Sequence, residues 1–116
     1  MAVRRIVANI GADELAGAKA FYGAVLGMRI AMDLGWIVTF AADAPTTPQI
    51  SVATQGGSGT PVPDLSIEVD DLDAVLERAV AAGFRIEYGP ANEPWGVRRF
   101  HLRDPFGRLV NILAHA

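Results

Sequence analysis

The sequence predicts an α+β fold: two βαβββ modules forming a cup-shaped mixed sheet, with the helices packed outside. Three observations carry this expectation. Strand-like and helix-like runs follow the same order in both halves of the chain. Both helical stretches end in nearly the same words, Gly27-Met28-Arg29-Ile30 and Gly83-Phe84-Arg85-Ile86. A stretch rich in Gly and Pro lies between the halves. With 116 residues the chain is one domain long. Each half, at roughly 50 residues with one helix, is too small to bury a core comfortably alone. A single domain over 1–116 follows, with module one about 4–54, a linker about 55–63 and module two about 64–114.

Each element has a local cause. Ile6 to Ile10 reads as a strand, and Asp13-Glu14 opens a helix whose positive end carboxylates suit. Leu15, Ala18, Phe21/Tyr22 and Val25/Leu26 recur at helical spacing, and Gly27 closes the helix in the left-handed region. Strands are expected at about 29–32, from Trp36 to Phe40, and from Gln49 to Thr54, with turn residues around Asp43-Ala44-Pro45-Thr46. Gln55-Gly56-Gly57-Ser58-Gly59-Thr60-Pro61-Val62-Pro63 has the composition of a flexible linker. The second half repeats the first. Asp64 to Val69 is a strand, and Asp70-Asp71 starts a helix bearing Leu72, Val75/Leu76 and Ala79 on one face. Strands follow at about 85–88, from Gly96 to Leu102 and from Leu109 to Leu113. The last two are joined by Asp104-Pro105-Phe106-Gly107, a turn by its chemistry.

Composition excludes several functions. Ten Lys and Arg against thirteen Asp and Glu give a formal charge of -3, without the clustered positive field that a nucleic-acid surface needs. The absence of cysteine removes disulfides, thiolate metal sites, iron–sulfur clusters and a thiol nucleophile. No window reaches the ~20 apolar residues of a membrane-spanning helix. The start lacks the apolar core of a signal peptide, so a cytoplasmic location is the expectation. There is no phosphate-binding glycine loop, nucleophile elbow or H-E-x-x-H pair.

Phe21-Tyr22-x-x-Val25-Leu26-Gly27 resembles the helix end of vicinal-oxygen-chelate proteins, the superfamily of glyoxalase I, bleomycin-binding proteins and extradiol dioxygenases. Val69-Asp70-Asp71-Leu72-Asp73-Ala74-Val75, Pro94-Trp95-Gly96-Val97-Arg98-Arg99-Phe100, and Asp104-Pro105-Phe106-Gly107 before Val110-Asn111-Ile112-Leu113 extend the resemblance over the whole chain. It implies metal-ligand positions on the first and last strand of each module. The repeat sets these at Arg5 and Asp64, and at Gln49 and Asn111. The enzymes carry mainly His and Glu there. Here only Asp64 is a strong anionic ligand, and Arg5 cannot ligate at all. The expectation is therefore no metal, with a divalent ion at a displaced site as the alternative.

Alternation along the strands populates the cup. Arg5 and Asn9 face inward if Ile6, Ala8 and Ile10 pack against the helices. Gln49 and Ser51 face inward with Ile50 and Val52 in the core. Phe100 and Leu102 in the core turn Arg99 and His101 toward the cup, which Asp64, Ser66, Glu68 and Asn111 also line. Ion pairs Arg5–Asp64 and Arg99–Glu68 are the bland account of this polar face. Trp95, on a loop entering a strand, either stacks on a ligand or serves as a structural cap. Trp36 and Tyr22 are expected to pack.

His101 is the best-placed acid or base, with Glu68 as its partner. The leading expectation is a metal-free protein that binds a small organic molecule through Arg5, Asn9, Gln49, Ser51, Asp64, Ser66, Trp95, Arg99 and Asn111. The alternative is a glyoxalase- or dioxygenase-like lyase or oxidoreductase, using a displaced metal or the His101/Glu68 pair. The resemblance also implies a homodimer. Neither nucleic acid nor membrane is an expected partner.

Overall fold

The computed structural model describes residues 2–44 and 46–116. The described residues form eight strands and two helical segments, distributed over two compact units. One unit is Val7–Val62, and the other joins Met1–Ile6 to Pro63–Ala116. The first strand, β1 (Val3–Gly11), therefore contributes to both.

In the unit Val7–Val62, β1 is followed by a short helix, α1 (Ala16–Ala18), which continues as a wider π-helical turn over Lys19–Val25. Then come β2 (Arg29–Asp33), β3 (Ile37–Ala41) and β4 (Gln49–Ala53). The strand order is β2-β3-β4-β1, antiparallel except for the parallel pairing of β4 with β1. Val38, Phe40 and Val52 form the core, and Leu15, Ala18 and Tyr22 of the helical segment pack onto it. The Tyr22 and Phe40 ring centroids lie 5.6 Å apart.

The other unit repeats this plan with β5 (Leu65–Val69), α2 (Leu72–Ala81), β6 (Ile86–Asn92), β7 (Val97–Arg103) and β8 (Leu109–His115). Its order is β5-β8-β7-β6, with β5 and β8 parallel and the remaining pairs antiparallel. Helix α2 is capped by Asp71, whose carboxylate accepts a hydrogen bond from Ala74 N at 3.1 Å. Its face presses Leu72, Val75 and Leu76 onto Phe100, Val110, Ile112 and Val69.

The registers reproduce the repeat. Ala8 lies opposite Ile50 as Ile67 lies opposite Ile112. With Gln49 matched to Asn111, these registers match Arg5 to Asp64, so the two expected equivalences are consistent with each other.

Three local expectations need correction. The first helix does not put all its apolar residues in the core. The π-helical turn directs Tyr22 inward and leaves Phe21, Val25 and Leu26 exposed. Ile6, Ala8 and Ile10 are also exposed, because the helical segment covers β3 and β4 rather than β1. The stretch 55–63 is a hydrogen-bonded turn rather than a flexible connection. Gly56 N donates to Thr60 O at 2.7 Å, and Gly59 N donates to the Gln55 side chain at 2.9 Å.

Candidate binding site

Strand alternation decides which side chains meet in the second repeat. Phe100 and Leu102 of β7 and Val110 and Ile112 of β8 belong to the core under α2. Arg99, His101 and Asn111 must then occupy the opposite face, together with Ser66 and Glu68 of β5. Arg99 is 2% exposed, His101 1% and Asn111 7%. Ionisable and amide groups so deeply buried need partners.

Arg99 has found its own. Its Nε and Nη2 both approach Glu93 Oε2 at 2.6 Å, and both side chains are almost wholly buried. The Tyr88 hydroxyl donates to the same oxygen at 3.0 Å. The guanidinium carbon lies 5.2 Å from the Tyr88 ring centroid and 5.1 Å from that of Trp95, within cation–π range of both. Trp95 thus forms one wall around a neutralised charge pair, with its side chain only half-buried.

His101 lies opposite Asn111 on the neighbouring strand, and its ring centroid is 5.1 Å from that of Tyr88. Burial drives its pKa down from 6.5 to about 4, and the Arg99 cation pushes the same way against the weaker pull of Glu93. The imidazole is therefore neutral near pH 7. Asn111 Nδ2 donates to Ser66 Oγ at 3.1 Å, which fixes the amide. His101 Nε2 and Asn111 Oδ1 are both buried and have no partner.

The remaining predicted residues are spread over other contacts. Arg5 Nε pairs with Glu68 Oε1 at 3.2 Å, and Glu68 Oε2 also meets His115 Nδ1 at 2.9 Å. Asp64 Oδ2 accepts from Leu109 N at 3.0 Å. The ion pairs expected as Arg5–Asp64 and Arg99–Glu68 are therefore Arg5–Glu68 and Arg99–Glu93. A backbone N–H occupies Asp64, and Arg99 takes the nearer carboxylate, at the end of the β6–β7 hairpin. In the unit Val7–Val62, Ser51 is buried against Thr39, with their hydroxyl oxygens 2.7 Å apart. Asn9 stands opposite Ser51, and Gln49 lies opposite Ala41.

Glu93 and Tyr88 are the members that sequence reasoning missed. A buried Arg99 on a hairpin strand was the available signal, since it requires a carboxylate within reach. A cavity of about 290 Å³ lies on the opposite, apolar side of this unit, lined by residues including Leu65, Ile67, Phe84 and Leu102. None of the predicted site residues lines it.

A divalent metal does not fit the equivalent positions. Arg5 offers no lone pair and pairs with Glu68, Asp64 Oδ2 accepts from Leu109 N, and Asn111 offers only a neutral amide oxygen. That leaves one carboxylate where such a site needs about three imidazole or carboxylate ligands. Among the described residues no three His, Cys, Asp or Glu side chains are grouped to hold an ion.

The matching modules and this polar face define a class of protein. A family model for the Glyoxalase/Bleomycin resistance protein/Dioxygenase superfamily matches residues 5–112, and the chain belongs to that superfamily. Solved structures agree in fold. A structure described as NAD-dependent benzaldehyde dehydrogenase from Legionella pneumophila superposes with a TM-score of 0.76 at 16% identity, covering 97% of this chain and 100% of that one. A superfamily member from Vibrio splendidus 12B01 gives 0.67 at 15% identity, covering 99% and 100%. Methylmalonyl-CoA epimerase from Mycobacterium tuberculosis gives 0.64 at 19% identity, covering 98% and 87%. No curated protein sequence matches the chain. No helix among the described residues is long and apolar enough to cross a membrane.

Proposed function

We propose that the protein binds a small organic molecule at the polar face of β7 and β8, without the metal used by enzymes of its superfamily. The observation that carries this reading is the neighbouring pair His101 Nε2 and Asn111 Oδ1, buried and unpartnered. Leaving such atoms unsatisfied costs about 1–3 kcal/mol each, a cost that a bound polar group removes. A neutral imidazole beside a self-cancelling Arg99–Glu93 pair favours an uncharged polar ligand over an ion. Trp95, half-buried against Arg99, is the aromatic edge through which binding is sensed.

The acid–base alternative has less support, because Glu68 is engaged by Arg5 and His115 while His101 is held uncharged. The proposal includes a cytoplasmic setting, which suits a chain that needs no disulfide. It also includes pairing with a second copy, which the exposed apolar side chains of β1 and the first helix support.

A metabolite and drug panel followed by Trp fluorescence tests the binding reading. A saturable ligand is expected, and replacing Asn111 by Leu should weaken it at least tenfold while leaving the fold intact, as loss of one buried hydrogen bond implies. A panel without any binder, or a ligand whose affinity is unaffected by both Asn111→Leu and His101→Phe, contradicts the proposed site.

A further inference from the structure

Four polar side chains form a row across the sheet of the second repeat. Ser66 of β5 lies opposite Asn111 of β8, Asn111 opposite His101 of β7, and His101 opposite Tyr88 of β6. All four belong to the same compact unit. The outer two members hold the inner two. Asn111 Nδ2 donates to Ser66 Oγ at 3.1 Å, and the Tyr88 ring packs beside the imidazole with centroids 5.1 Å apart. The Tyr88 hydroxyl itself donates to Glu93 at 3.0 Å. What the row leaves over is one atom on each inner member, His101 Nε2 and Asn111 Oδ1, both buried and unpartnered.

The chemistry of these two atoms is selective. With its nitrogen engaged by Ser66, Asn111 presents only an amide oxygen, which accepts and cannot donate. His101 is neutral, so one ring nitrogen carries a proton and Nε2–H is open to it. Residues directly opposite in an antiparallel pair stand about 5 Å apart at Cβ, so one small group reaches both. A ketone, ether or carboxylate only accepts, and would leave the Asn111 oxygen without a donor. An ammonium would donate, but its charge is unwelcome here. Burial and the Arg99 cation, which lower the His101 pKa to about 4, act against any further cation beside it.

We propose that this row selects a neutral alcohol, whose hydroxyl donates to Asn111 Oδ1 and accepts from His101 Nε2–H. A hydroxyl is the smallest neutral group that meets both demands, which suits two atoms closed in by their surroundings. Ser66 touches no ligand in this arrangement and is a positioning residue, keeping the amide nitrogen of Asn111 turned away. The inference rests on the binding reading above and names the group that the site selects.

Cyclohexanol and cyclohexanone are matched probes, one able to donate a hydrogen bond and the other not. Their dissociation constants follow from NMR titration of the His101 ring and Asn111 amide resonances, up to the solubility of each. Cyclohexanol should bind at least about tenfold tighter, because the ketone strands a buried acceptor. Ser66→Ala frees the amide to turn its nitrogen inward. The preference should then shrink to about threefold or less, chiefly through a gain for the ketone. Ser66→Thr keeps a hydroxyl and should restore the preference.

Equal binding of the two probes at these resonances overturns the choice of an alcohol but leaves the site standing. A preference that survives Ser66→Ala, or a loss that falls on both probes alike, overturns the positioning role of Ser66. If neither probe moves the resonances, the alcohol assignment falls. The binding reading falls with it only if the metabolite and drug panel is also empty.

Discussion

His101 makes a sharp prediction at the scale of one residue. Its pKa is about 4 in the folded protein against 6.5 in the unfolded chain, so the unfolded state binds more protons between those values. The stability that His101 contributes is complete above pH 6.5 and declines as pH falls toward 4, by on the order of 2–3 kcal/mol. A series of chemical denaturations should show this decline, and His101→Phe should flatten it. An NMR titration that places the imidazole pKa near 6.5 would contradict the burial argument.

Arg99 and Glu93 predict a different pattern. Either Arg99→Met or Glu93→Leu alone strands a buried charge and should cost about 3–5 kcal/mol, whereas the double substitution should recover most of that loss. A thermal-unfolding double-mutant cycle reads this directly. The inward direction of Arg99 and His101 was legible in the sequence, because Phe100 and Leu102 claim the other face. The partner of Arg99 was not. The β6–β7 register shifts between Ile86 and Tyr88 and again between Tyr88 and Ala91, and strict alternation carries no account of such irregularities.

The elements differ in how openly the sequence declares them. Helix α2 is legible from Asp71, the periodic Leu72, Val75 and Leu76, and Gly83. Asp71→Ala should cost about 1 kcal/mol in unfolding free energy by removing the cap to Ala74 N. The first helical segment is harder, because its apolar residues satisfy the helical period on more than one face. Only the wider turn decides which face receives Tyr22 and which receives Val25. The stretch 55–63 misleads for a related reason, since glycine serves a flexible linker and a tight turn equally well. At Gly56 an added Cβ would collide with the Pro61 carbonyl oxygen. Gly89 has a φ of +83°, and its Cβ would come 2.6 Å from Arg99 O. Gly89→Ala should therefore destabilise by more than about 2 kcal/mol and loosen the strand that carries Arg99. A Tm unchanged from wild type would show that this close approach is not maintained.

At the scale of the whole molecule, internal repetition made the fold readable. Two nearly identical helix endings and a repeated strand order defined the βαβββ modules before any contact was known, and the registers of β1 with β4 and β5 with β8 repeat that equivalence. The site was legible only as a face. Equivalent positions could be located, but the pairing of Arg5 with Glu68 and the burial of the Arg99–Glu93 pair depend on contacts between strands distant in sequence. Function is further removed again, because the superfamily fold supports both metal chemistry and simple binding. The proposal that this chain binds its ligand without a metal stands on the residue types at Arg5, Asp64, Gln49 and Asn111 and on the buried, uncharged His101 beside Asn111.

The most direct test is the affinity of a ligand from the fluorescence panel before and after exhaustive chelation, with metal counted in the same sample after purification without chelator or metal-affinity tag. The account predicts substoichiometric transition metal and an affinity that chelation leaves unchanged. One bound transition metal per chain, with binding abolished by its removal and restored by its return, would contradict it.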